Sequence, residues 1–202
     1  MTRRVSSVWS AFIVSVLMAA IPTVYAQAPG DFAGDPDKSM ASAQESFVKG
    51  DMNKAAEHIK KAAASVRKEG GKVAKDAKQG VMKAGDQLDR LGGEVKKGAV
   101  KSGDQLKKTF AQVDHALAKA WHTTAEQAQK SGKDSTDALK KAGAGLVGAA
   151  KWSGTQMKDG TQAAVEGVQK AGQGMKLGAE DIGKFFKGIG DGIADVGQKL
   201  SN

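Results

Sequence analysis

Apolar side chains recur along this chain at helical spacing. Ala43 and Phe47 stand four apart, and Ala55, Ile59 and Ala62 repeat the pattern after an interruption at Gly50-Asp51. Glycine ends helices and an aspartate just behind it caps the next one, so residues 38–69 are predicted to form a helical hairpin with Asp51 as N-cap. From Val73 a longer rhythm begins. Val73, Ala84, Val95, Leu106, Leu117, Ala128, Leu139 and Ala150 fall every eleven residues, and Ala77, Leu88, Ala99, Phe110 and Trp121 step in the same way. Eleven residues in three turns is about 3.67 per turn, which keeps an apolar stripe on one side of a nearly straight helix.

The final segment changes period. Ile182, Ile189 and Val196 are seven apart, as are Phe186, Ile193 and Leu200, while Gly183, Gly190 and Gly197 form a third seven-residue series beside them. Bulky residues next to smooth glycine let another helix approach closely. These nine positions are the predicted helix-packing interface.

Proline and glycine set the punctuation. All three prolines, Pro22, Pro29 and Pro36, come early, and none follows, which suits continuous helix. Glycine is abundant throughout, and each one inside a helix costs about 1 kcal/mol relative to alanine. Breaks are therefore expected at Gly70-Gly71, Gly92-Gly93, Gly132 and Asp159-Gly160. The Lys-small-Gly pattern at Gly85, Gly103, Gly132, Gly143 and Gly172 is expected to put those glycines on one face. The fold class is all-α: a short hairpin, then long antiparallel Ala/Gly/Lys-rich helices over 72–202 in an elongated bundle. Residues 27–37, with Pro29, Gly30, Gly34 and Pro36, read as a disordered leader.

The first residues bear on compartment. Arg3 and Arg4 precede a mostly apolar run from Val8 to Ile21, Pro22 follows, and Val24-Tyr25-Ala26 has the small-residue layout of a cleavage site. This is the pattern of a secretory signal peptide over 1–26, and the run falls short of the roughly 20 residues that span a bilayer. A periplasmic or secreted location follows as an expectation. Cysteine is absent, so no disulfide or thiol chemistry is available.

Charge is unevenly placed. Basic and acidic side chains cancel from Gln27 to Gly71, whereas Lys72 to Asn202 carries 22 basic against 15 acidic ones, net +7. A basic excess suits an anionic membrane surface. The two signs are interleaved, as on an ordinary solvated helix face, so a protein partner or self-association comes first and anionic lipid second. Export sets nucleic acid aside.

The run Ala43…Phe47…Gly50-Asp51…Lys54-Ala55…Ile59…Ala62 resembles the middle of one tetratricopeptide repeat. Stacked arrays need at least three such units, so this resemblance implies a lone hairpin packed on the rest. Lys68 to Val81 resembles the 11-residue lipid-binding repeats of synucleins and apolipoproteins and the repeats of late embryogenesis abundant proteins. Taken whole, with His115-Ala116-Leu117-Ala118, Trp121-His122 and the ending Gly188-Ile189-Gly190-Asp191-Gly192-Ile193, the chain is similar to uncharacterised exported bacterial all-helical proteins. That similarity implies an all-helical envelope protein.

Catalytic chemistry finds no foothold. The Gly-Ile-Gly at Gly188–Gly190 lies within amphipathic helix and not after a strand, so it is no phosphate loop. No serine sits in a strand-to-helix elbow. Glu180-Asp181 reads as first-turn charge on a helix start. His115 and His122 are two turns apart and can face one way, yet a metal needs further ligands, for which only Asp114, Glu126 and His58 offer themselves. No metal, cofactor or catalytic residue is assigned, and a metal or small-ligand carrier is the most distant reading. Phe110, Trp121, Trp152, Phe185 and Phe186 are either core anchors or membrane-interface residues flanked by lysines such as Lys119, Lys151, Lys184 and Lys187. Two functional readings result: a non-enzymatic structural or interaction protein of the envelope, serving stress tolerance or maintenance, and a reversible amphipathic-helix binder of anionic lipid.

Overall fold

A computed structural model describes residues 35–171 and 178–202, which form seven helices and no strand. They are α1 (Asp35–Val48), α2 (Met52–Gly70), α3 (Lys78–Lys96), α4 (Gly103–Lys130), α5 (Thr136–Ser153), α6 (Asp159–Ala171) and α7 (Ala179–Ser201). The expected signal peptide and residues 27–34 of the expected leader lie outside the described residues. Asp35–Asp37 belong to the first turn of α1, where proline is tolerated because its missing N–H has no intrahelical role.

The hairpin closes as its sequence predicts. Gly50 takes a left-handed φ of 78°, and Asp51 caps α2 by accepting a hydrogen bond from Lys54 N at 3.1 Å. Antiparallel α2 and α3 then share a face built from Ile59, Val66, Val81, Leu88 and Val95, all fully buried. At its edge, Arg67 reaches across to Asp86 at 2.7 Å and Asp89 at 2.6 Å. The connection from α2 to α3 is pinned onto α4, because Ala74 N–H donates to Thr124 Oγ1 and Gln127 donates to Asp76.

Chain breaks follow glycines with positive φ more than glycine pairs. Gly132 ends α4 as expected, with a φ of 66°. Gly92-Gly93 does not break anything: both lie inside α3, where Gly92 packs on Ile59 and burial of Leu91 and Val95 outweighs the local helix penalty. The break comes at Gly98 (φ 67°) instead. Likewise the α5 terminus is Gly154 (φ 65°), while Asp159-Gly160 opens α6. The Lys-small-Gly glycines share no face. Gly85 meets Arg67, Gly103 starts α4, Gly132 is a turn and Gly143 faces Val165. Gly172 lies outside the described residues.

Two apolar cores result, joined by the 28-residue α4. Its first half, Leu106 to Leu117, packs with α1, α2 and α3. In its second half Ala118, Trp121 and Ala125 pack with α5, α6 and α7. The eleven-residue stripe supplies both: Ala84, Val95, Leu106, Leu117, Leu139 and Ala150 are all buried, although they sit on three separate helices. No helix among the described residues is long and apolar enough to cross a membrane.

Candidate functional site: the α7 seam and two clefts

The seam of α7 lies antiparallel against α4. Ile189, Ile193 and Val196 are buried, and Ile182, Phe186 and Leu200 are half-buried beside them. The two histidines of α4 do converge on one side, and what they meet is the backbone of α7. His115 Nε2–H donates to Ile193 O at 2.9 Å, and His122 Nε2–H donates to Phe186 O at 3.1 Å. Each accepting carbonyl lies four residues before a glycine of the seam. A β-carbon on Gly197 would stand 2.8 Å from His115 Nε2, and one on Gly190 would stand 3.4 Å from His122 Nε2. At Gly197 the missing side chain thus lets the His115 ring lie close enough on the helix to reach its carbonyl, whereas at Gly190 a β-carbon would meet His122 at ordinary contact distance. The seven-residue spacing of the histidines on α4 matches that of the glycines on α7. The His122 ring also meets Phe186 edge to face at 5.6 Å.

Gly183 does not take part: it is exposed, with nothing within 4 Å of a β-carbon there. Closer contacts occur at glycines outside the seven-residue series. Gly188 and Gly192, one turn apart, press against α6 at Ala164 and Thr161, and Gly167 lies under the Phe185 ring. Between α4 and α5, a β-carbon on Gly145 would fall 2.9 Å from both Ala118 N and Asp114 O. For Gly188 and Gly192 the signal that could have found them is their four-residue step, which aligns a second stripe on α7.

The aromatic residues are placed inside the bundle to different depths. Phe110 is fully buried and meets Trp152 edge to face at 5.2 Å. Trp121 and Trp152 are buried, whereas Phe185 and Phe186 are half-buried on α7. Lysine covers both indoles, with Lys141 Nζ 4.0 Å from the Trp121 ring centre and Lys151 Nζ 5.4 Å from that of Trp152.

Asp114 is the one fully buried carboxylate among the described residues. Its side chain lies against Gly148 of α5, and neither oxygen makes a hydrogen bond of good geometry. Burial pushes this carboxyl well above the usual carboxylate range, and the like charge of Asp37 adds to it. The Trp152 indole and Lys151 act weakly in the opposite direction.

Two clefts open on the surface. One, of about 400 Å³, lies over Asp114 and includes Asp37, Glu69, Trp121, Lys141 and Gly145. Its cations are already engaged: Lys141 lies over Trp121 and pairs with Glu69 at 3.3 Å, and Lys140 pairs with Asp137 at 3.1 Å. The other, of about 580 Å³, lies where the amino end of α4 meets the carboxyl ends of α5 and α7. It is lined by Lys107, Lys108, Lys151, Trp152, Lys199 and Leu200, with Asp104 as its single acid. Among the described residues, no group of three or more His, Asp or Glu side chains gathers in a metal-binding arrangement. No family model, curated protein or solved structure matches the chain.

Proposed function

We propose that this chain is a non-enzymatic helical scaffold, exported to the cell envelope after cleavage near Ala26, that works through contacts with a protein partner or a second copy of itself. The observation that carries this reading is the inward use of its apolar faces. The α7 seam is spent on α4, and Val48 is the one exposed large hydrophobic residue among those described. A reversible lipid binder of the unfolded-to-helical kind keeps such a face for the acyl boundary. Antiparallel helices locked by glycine contacts instead suit a preformed body that presents mixed charge to its surroundings.

Circular dichroism tests this. The scaffold reading expects strong helical signal in buffer, a cooperative melt, and no gain in helicity on adding phosphatidylglycerol vesicles. Weak signal in buffer that rises sharply with those vesicles would overturn it in favour of the lipid reading, which the net +7 over Lys72–Asn202 supports. The export part is tested separately, by N-terminal sequencing of the chain recovered from the producing cell: a start at Gln27 is expected.

A further inference from the structure

The cleft of about 580 Å³ is assembled from parts that are far apart in sequence. Lys107 and Lys108 come from the start of α4, Lys151 and Trp152 from the end of α5, and Lys199 and Leu200 from the end of α7. Lysines in the last turn of a helix have a local reason to be there, since they complement the carboxyl-end dipole, and Lys151 and Lys199 fit that description. Lys107 and Lys108 do not. They stand in the second turn of α4, away from its carboxyl end, and have no such local reason for their place. Asp104 answers only one of them, and at 3.9 Å from Lys107. Lys108, Lys151 and Lys199 make no ion pair among the described residues.

Three ammonium groups without a close ion pair, brought from three helices onto one concave surface, match the charge and the several acceptor oxygens of a phosphate group. Asp114 and Asp195 act on Lys151 and Lys199 only from a distance. Their donors point freely in several directions, which suits a tetrahedral anion as point-charge contacts. The walls are different in kind. Trp152 is 8% exposed and Leu200 half-buried, so the floor of the cleft has an apolar edge beside its charged rim. A bare ion would leave that edge unused. We propose that this cleft binds a phosphate-bearing ligand, its charge held by Lys108, Lys151 and Lys199 and its carbon portion laid against Trp152 and Leu200. The site belongs to the folded bundle and does not rest on the scaffold reading, so either can fail alone.

Glycerol phosphate and phosphatidylglycerol share this chemistry, one free and one in a lipid surface. The full chain would be titrated calorimetrically with glycerol phosphate, and separately co-sedimented with phosphatidylglycerol or phosphatidylcholine vesicles. The same measurements on a Lys108→Ala/Lys199→Ala variant test the site, with Lys60→Ala/Lys61→Ala on the exposed face of α2 as the charge-matched control. Unchanged melting curves show that both variants remain folded. The expected result is saturable binding that weakens at least tenfold in the cleft variant and less than twofold in the control. Binding of both probes with that pattern assigns a soluble phosphate ester. Binding of phosphatidylglycerol vesicles alone with that pattern assigns a lipid headgroup. No binding of either probe, or equal weakening in the two variants, overturns the proposal.

Discussion

The two cores of this bundle use glycine for opposite purposes. In the region of α1, α2 and α3, no glycine would bring a β-carbon closer than 3.0 Å to a neighbour, and the tightest, Gly85, faces the flexible stem of Arg67 at that distance. Side chains there fill the space, with Ile59, Leu88 and Val95 in the interior and Arg67 bridging Asp86 and Asp89 at the edge. In the region of α5, α6 and α7, a β-carbon would fall under 3.0 Å at Gly145, Gly148, Gly167, Gly188, Gly192 and Gly197. Here the missing side chains make the fit, and backbones approach until a carbonyl, a ring or a carboxyl fills the gap. A glycine inside a helix is therefore no single signal. Its meaning depends on what stands opposite.

The comparison breaks most severely at Gly145. Both atoms it meets are backbone, Ala118 N and Asp114 O, and neither can rotate away. Gly145→Ala should lower stability by about 2–3 kcal/mol, the range for overpacking a tight contact. Urea denaturation would read this as a lowered midpoint with unchanged slope. Next in size is Asp114, whose buried carboxyl sits at the same α4–α5 contact. Its pKa is raised on folding, so its contribution to stability is fully present below its unfolded value, near 3.9, and is lost as pH rises toward the folded value. The chain should accordingly lose stability through this group as pH rises above about 4. Asp114→Asn, which cannot ionise, should raise stability at pH 7 and change it little at pH 4. Thermal melts across pH would show two curves that converge in acid; parallel curves would reject the assignment.

Smaller effects sharpen the contrast. Gly197→Ala brings a methyl group against the His115 ring and should cost about 1 kcal/mol, and a double-mutant cycle with His115→Ala should recover most of it. Gly190→Ala meets His122 at ordinary contact distance and should be close to neutral. At the far end of the scale, Gly93 in α3 and Gly183 in α7 both face open space. Each alanine replacement should stabilise the chain by about 0.5–1 kcal/mol through helix propensity alone. Because Gly183 lies on the helix with the tightest contacts, a gain there would show that the facing surface decides, and not the region.

Much of the helical plan is legible in the sequence. The hairpin turn at Gly50-Asp51, the stop at Gly132 and the buried face of α7 all follow from local residue types, because each depends on neighbours within a turn or two. Gly92-Gly93 misleads for the opposite reason. The helix continues through it because Leu91 and Val95 are buried by α2, a contact that no local pattern reports. The break at Gly98 had a local sign after all, a Lys-Lys-Gly step just past the last buried valine. Gly145 and Gly148 are distinguished from the open Gly93 only by which helix lies opposite. The lysine cleft is invisible along the chain, since Lys108, Lys151 and Lys199 meet only once three helices have been placed.

The division of α4 between the two cores has a consequence for how the chain holds its shape. Helices rich in glycine are weak on their own, since isolated helices are marginal in water even with better formers. With α4 already held by Phe110 and Val113 in the first core, its second half offers a prepared surface. The second half of α4 is thus the common surface on which α5, α6 and α7 rest, so a change that frees it should loosen all three glycine-rich helices together.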